Sequence, residues 1–121
     1  MQKPWDEYET VLLIDTCVKV LNKAWSPKEA IRRLSGALRK RAIDAGLEID
    51  DVYRNEAGIS YQLSNMQQLL VGDSADVHCS KIFRDIAEMY RNNRTKYDVL
   101  LIQAKGGSSE MKSKRSRNSE P

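Results

Sequence analysis

The sequence is poor in the residues that build reactive, cross-linked or metal-binding sites. It contains one histidine and two cysteines, and Cys17 and Cys79 lie far apart along the chain. These residues do not make a zinc set and suggest no disulfide framework, which favours a reducing, cytoplasmic setting. His78 and Cys79 are adjacent, so on an extended loop they point apart, and no third residue completes a catalytic group. We therefore expect no metal, no cofactor and no enzymatic activity, and a hydrolase using this pair is the weakest alternative.

Long apolar runs are also missing. No run approaches the roughly 18 residues that span a bilayer, so we expect no membrane partner. The first residues, MQKPWDEYE, lack the charged-then-apolar pattern of a signal peptide. A length of 121 residues favours one domain with a modest core. No stretch alternates like a clear strand, so apolar periodicity favours an all-α fold.

Helical spacing and capping residues predict a compact bundle of five to six helices within a single domain at 1–104. The segment 105–121 carries five Lys or Arg, two acidic residues and one apolar residue, which predicts a disordered basic tail or linker. Its Lys112, Lys114, Arg115 and Arg117 would add nonspecific attraction to a polyanion. The predicted helices cover about 6–23, 26–46, 56–71, 80–91 and 95–104, with a further single turn at 50–53.

The stretch 26–46 contains residues that predict both the start and the end of a helix. Ser26, Pro27 and Glu29 predict an N-terminal capping box with proline at the first helical position. Gly46 predicts a left-handed stop. The expected core face is Ile31, Leu34, Leu38, Ala42 and Ala45. After this helix, we expect the joining segment to dip three side chains into the core: Leu47, Ile49 and Val52.

Positive charge concentrates on this helix, which has six Lys or Arg against two acidic residues. Such clustering indicates a polyanionic partner, and arginine forks suit phosphate well. The alternative is a solvated surface helix whose cations pair with the acidic loop residues Glu48, Asp50 and Asp51. The candidate nucleic-acid-binding residues are Lys28, Arg32, Arg33, Arg39, Lys40 and Arg54.

A second candidate surface is uncharged and lies on the helix predicted at 56–71. Asn and Gln side chains can pair with base edges in the major groove, so this face could read bases while its neighbours hold phosphates. A face without charge is also typical of burial or contact with a partner protein. Its residues, at i, i+3, i+4 and i+7, are Tyr61, Ser64, Asn65 and Gln68.

The chain resembles an uncharacterised helical module of bacterial proteins, often from Firmicutes and their mobile elements, where it precedes nuclease-type or helicase-type domains. The most specific part of the resemblance comprises Tyr53, Arg54, Asn55, Glu56, Gly58 and Ile59. The resemblance extends over about residues 5–104 through EYETVLLID (7–15), SPKEAIRRLSGALRKRA (26–42), GLEIDDVYRNEAGISYQL (46–63) and SKIFRDIAEMYRNNRTKYDVLL (80–101).

The resemblance implies an accessory role on nucleic acid and carries no catalytic residues. No catalytic domain follows, so we expect a stand-alone version or a truncated N-terminal module. Together with the charge pattern, it predicts a non-catalytic nucleic-acid-binding module that favours DNA over RNA, with a nuclease or helicase as a further partner. The alternative function is a protein-interaction module or a small inhibitor of a nuclease or defence complex.

Overall fold

The computed structural model describes residues 4–71 and 80–106. Within these ranges the chain forms five α-helices and no strand, which confirms the predicted all-α bundle. None of these helices is long and apolar enough to cross a bilayer. The predictions for His78, Cys79 and the tail from residue 107 onward lie outside the described residues. The helices are α1 (Glu7–Leu21), α2 (Pro27–Asp44), α3 (Glu56–Val71), α4 (Lys81–Asn92) and α5 (Arg94–Ala104).

Helix α1 forms the centre of the bundle, and the other four helices all pack against it. A capping box fixes its start. The Asp6 carboxylate accepts from the Glu9 amide at 2.8 Å, and the Glu9 carboxylate accepts from the Asp6 amide. Apolar side chains cover most of its circumference, as expected for a buried helix. Around α1, α2 packs on α3, α3 on α4, and α4 on α5. Helix α2 therefore lies at one edge, away from α4 and α5.

Helix α2 has the predicted bounds but only half of the predicted capping box. Ser26 Oγ accepts from the Glu29 amide at 3.2 Å, and Pro27 occupies the first helical position. The Glu29 carboxylate does not return to Ser26, because it is held by two arginines farther along the helix. Gly46 has φ +86°, the left-handed conformation that glycine adopts without steric cost, and it ends the helix as predicted.

The segment between α2 and α3 departs from the prediction. Leu47 and Val52 are 37% and 55% exposed, so they do not enter the core as expected. Polar contacts hold this segment against α2 instead: Arg39 donates to the Tyr53 carbonyl at 2.6 Å, and Ser35 donates to the Arg54 carbonyl at 2.7 Å. Backbone carbonyls that must be satisfied thus determine the path of the segment more than its apolar side chains do.

The core stripes of α3, α4 and α5 largely follow the predicted spacing. In α3, Leu69 is buried and the predicted Leu70 is only partly so, because the helix packs against both α1 and α4. Tyr97 of α5 is buried, and its hydroxyl donates to the Val11 carbonyl of α1 at 3.3 Å. The remaining buried apolar residues of these helices are Ile59, Leu63, Met66, Phe83, Ile86, Ala87 and Leu100.

Candidate nucleic-acid interface

The outer face of α2 carries the largest group of predicted site residues. Lys28, Arg32, Arg33 and Lys40 are all exposed on it. The apolar side, with Leu34 and Leu38, turns toward the core, so the helix separates core and cations as its spacing predicted. Since α2 lies at the edge of the bundle, none of the other four described helices covers this cationic face.

Neighbouring carboxylates on α2 partly neutralise these cations. Glu29 pairs with both Arg32 and Arg33, with nitrogen–oxygen distances of 2.6 Å in each case. These bonds lower the pKa of the Glu29 carboxyl and raise the pKa of Arg32. Lys40 pairs with Asp44 at 2.7 Å. Among the described residues, these intrahelical pairs replace the alternative in which the cations pair with Glu48, Asp50 and Asp51. Exposed pairs of this kind are weak and exchange readily with other anions.

Arg39 and Arg54 occupy positions different from those expected of phosphate contacts. Arg39 is half-buried, and it donates to the carbonyls of Asp50 and Tyr53. Arg39 thus anchors the segment that joins α2 to α3.

Arg54 is buried, which corrects its assignment as a phosphate-binding residue. Its side chain is 2% exposed and pairs with Glu9, with Nε 2.9 Å from Oε2. The guanidinium also lies over the rings of Trp5 and Tyr53, with its carbon 4.8 and 4.7 Å from their centroids. A buried charge needs a partner of opposite sign, and here Glu9 of α1 supplies it. Arg54 therefore holds the bundle together and is not placed to receive a strand from solvent.

The turn between α1 and α2 brings in two residues that the sequence analysis did not select. Trp25 is half-buried, and the charged groups of Lys19 and Arg33 lie 4.6 and 4.8 Å from the centroid of its ring. The available signal was a tryptophan directly before the cap of a basic helix. Lys19, in the last turn of α1, is also paired with Asp15 at 3.1 Å, so its charge is partly neutralised like those of α2.

The predicted neutral face of α3 is on the surface for most of its length. Tyr61, Ser64 and Gln68 are exposed, with Tyr61 at 63%, whereas Asn65 is half-buried. The N-terminus of α3 lies against α2, because Ser35 of α2 donates to the carbonyl of Arg54, two residues before α3 begins. The helix that carries the neutral face therefore begins beside α2.

A cleft lies on the other side of the α3 N-terminus. It encloses about 360 Å³ and is lined by α3 residues together with Trp5 and Arg54. The sequence analysis assigned no role to Trp5. The α3 residues in the lining are Ala57, Gly58, Ile59, Tyr61 and Gln62.

Groups suited to catalysis are few in the part of the chain that the structure describes. Within residues 4–71 and 80–106, no three His, Cys, Asp or Glu side chains are grouped to hold a metal ion. Cys17 is fully buried, and its burial raises the pKa of the thiol to about 12. A thiol with such a pKa is a poor nucleophile.

Comparison with known proteins gives no relative from which a site could be transferred: no family model, no curated protein and no solved structure matches this chain. The residues and the fold are therefore the basis for the functional proposal.

Proposed function

We propose that this chain is a non-catalytic nucleic-acid-binding accessory module that holds phosphates on the outer face of α2. One observation carries the proposal: Arg32, Arg33 and Lys40 retain 62%, 52% and 76% of their side-chain exposure despite their ion pairs. A phosphate can replace the carboxylate as the partner of a guanidinium or ammonium group that is this exposed to solvent. Release of the strand's counterions then drives binding.

The geometry of α2 supports contact with a single phosphate backbone. Lys28 and Arg32 are one helical turn apart, which is a rise of about 6 Å along the axis, and Lys40 lies about 12 Å beyond Arg32. Cations spaced in this way follow a strand over several phosphates. The two arginines add the planar fork that suits phosphate oxygens.

The remaining parts of the proposal depend on the resemblance described above. We propose a bacterial, mobile-element setting in the cytoplasm, with DNA favoured over RNA and a nuclease or helicase as a further partner. The basic residues beyond 106 would add attraction that does not depend on sequence.

Removing the charges of α2 tests the proposal. We expect the combined variant Arg32→Gln, Arg33→Gln and Lys40→Gln to weaken binding of duplex and single-stranded oligonucleotides by about tenfold or more at moderate salt. The slope of log affinity against log salt should become shallower by about two, because Glu29 and Asp44 already offset part of the charge. Fluorescence anisotropy of labelled oligonucleotides at several salt concentrations measures both quantities.

The matched control removes three cations from α4 and α5, which do not touch α2. Lys81→Gln, Arg84→Gln and Lys96→Gln give the same net charge, so the control should retain most of the affinity. Equal losses in the two variants would mean that net charge alone attracts the strand, and the assignment to α2 would then be wrong. An unchanged affinity in the α2 variant would also refute it.

A second candidate function is protein interaction through the neutral face of α3. The observation that favours it is the exposure of Tyr61 together with Val71, which is 68% exposed at the C-terminal end of the helix. Uncharged surfaces with an exposed aromatic residue are typical of protein contacts. The two candidates differ in what Ser64→Arg does, since it would abolish co-elution with a protein partner but strengthen binding to a strand.

A further inference from the structure

We propose that the cleft between Trp5 and the first turns of α3 receives one unstacked base of a nucleic-acid strand held on α2. This inference depends on the proposed function and names the form of its ligand, a single-stranded or locally unpaired segment.

The cleft has the size and lining of a site for a flat ring. Its volume, about 360 Å³, is at the lower end of the range of ligand pockets. Ile59 lies beneath the cleft and is fully buried, and Gly58 in the lining has no side chain. Gln62 adds an amide that can donate and accept hydrogen bonds at a base edge.

The two aromatic residues of the cleft differ in how firmly they are held. Trp5 contacts Phe83 edge to face, with ring centroids 5.5 Å apart, and Arg54 lies over its ring. Because Arg54 is in turn fixed by Glu9, Trp5 is a preformed wall. Tyr61 is 63% exposed at the rim, so its ring is free to stack on an incoming base.

The position of the cleft favours a base over an aromatic side chain of a peptide. Ser35 of α2 donates to the Arg54 carbonyl at 2.7 Å, and Arg54, Ala57 and Gly58 line the cleft. A strand with its phosphates on α2 would therefore cross the first turn of α3 at the mouth of the cleft. Aromatic rings beside a cationic track are the usual means of binding single strands without strong sequence preference.

A second cleft, near the start of α1, suits the same ligand less well. It encloses about 520 Å³, and among the described residues its lining contains Asp6, Glu9 and Asp44 and one cation, Arg41. Each of these carboxylates has a basic partner: Asp6 pairs with Arg41 at 3.4 Å, Glu9 with Arg54 and Asp44 with Lys40. This cleft therefore differs from the Trp5 cleft in the carboxylates of its lining. In the part of the chain that the structure describes, no carboxylate lines the Trp5 cleft.

The test separates phosphates from bases. Fluorescence anisotropy with the full chain compares a labelled single-stranded oligothymidylate with an abasic strand of the same length, which keeps the phosphates and lacks the bases. We expect the intact strand to bind about five- to hundredfold more tightly than the abasic strand, the range that base–aromatic stacking gives. Tyr61→Ala should reduce the affinity for the intact strand to near that for the abasic strand and leave the abasic strand unaffected.

Val71→Ala is the matched control, because it also truncates an exposed side chain on α3, about 15 Å along the helix from Tyr61. It should change neither affinity. Salt-dependent binding that is equal for the two strands would overturn this inference and leave the proposed function intact. No binding of either strand would overturn both. A Tyr61→Ala loss that is equal for both strands would also overturn the inference, because stacking acts only on the strand that has bases.

Discussion

Replacing Arg54 with alanine is expected to lower the free energy of unfolding by about 3–5 kcal/mol, the cost of leaving one partner of a buried ion pair alone. Glu9 would remain, 5% exposed in α1, with its carboxylate facing a space that has lost its cation. The substitution also removes two hydrogen bonds to Glu9, at 2.9 and 3.1 Å, and one to the Pro4 carbonyl.

Three parts of the chain meet at this arginine, which explains why the effect should be large. Arg54 precedes α3, Glu9 lies in α1, and Pro4 and Trp5 belong to the N-terminal segment. Arg54 also has φ +48°, a left-handed conformation that costs energy in a residue other than glycine. Such a conformation persists only where the surroundings fix it, and the contacts of the guanidinium do so here.

Urea denaturation followed by circular dichroism measures the change. Arg33→Ala is the control, because it also breaks an Arg–Glu pair, but one whose partners are 52% and 34% exposed, so we expect a cost below about 1 kcal/mol. The double variant Glu9→Gln with Arg54→Met should recover part of the loss, since it leaves no buried charge. A cost for Arg54→Ala no greater than that for Arg33→Ala would contradict the assignment.

The helix bounds could be predicted because the signals that set them are local. Asp6 and Ser26 cap α1 and α2 through amides three residues away, and Asn55 caps α3 by accepting from the Gly58 amide at 2.8 Å. Asp50 accepts from the amide of Tyr53 at 2.9 Å and forms the predicted single turn. Each of these contacts requires only neighbouring residues in the sequence, so reading the residue types was enough.

The burial of Arg54 could not be predicted from local sequence. Its partner is 45 residues away, and arginine is rarely buried without a partner, so the residue type indicated a surface position. The exposure of Leu47 and Val52 has a related cause, because the hydrogen bonds of Arg39 and Ser35 hold their segment on the outside of α2. Contacts between distant residues determine both outcomes.

The candidate site was predictable residue by residue but not as a surface. The positions of Arg32, Arg33 and Lys40 follow from helical spacing. The pairing of the two arginines with Glu29 was not predicted, because Glu29 was assigned to a capping box. The Trp5 cleft depends on the packing of the N-terminal segment against Phe83 of α4, about 80 residues later, which no local pattern reports.

The thiol of Cys17 is expected to react with alkylating reagents roughly a thousandfold more slowly in the folded chain than in urea at about pH 8. Burial raises the pKa of this thiol from 9.0 to about 12, so the reactive thiolate is about three powers of ten rarer at that pH. The experiment uses a Cys79→Ser variant, which leaves Cys17 as the single thiol, and follows the modified mass against time. Rapid modification without denaturant would show that α1 opens or that the thiol is accessible.

The raised pKa of Cys17 also makes the free energy of unfolding depend on pH, and this dependence is a second measurement of the burial of the thiol. Below about pH 9 both the folded and unfolded chains keep the Cys17 proton, so the group adds no pH dependence there. Between about pH 9 and 12 the unfolded chain releases the proton first, so the free energy of unfolding should fall as the pH rises. Burial also raises the pKa of Tyr97, which acts in the same direction at higher pH.

Cys17→Ala should lose stability less steeply than the parent chain over this alkaline range, because alanine has no proton to release. Equal slopes for the two chains in urea denaturation series would show that Cys17 ionises alike in both states, and the burial of its thiol would then not be the cause of its slow alkylation.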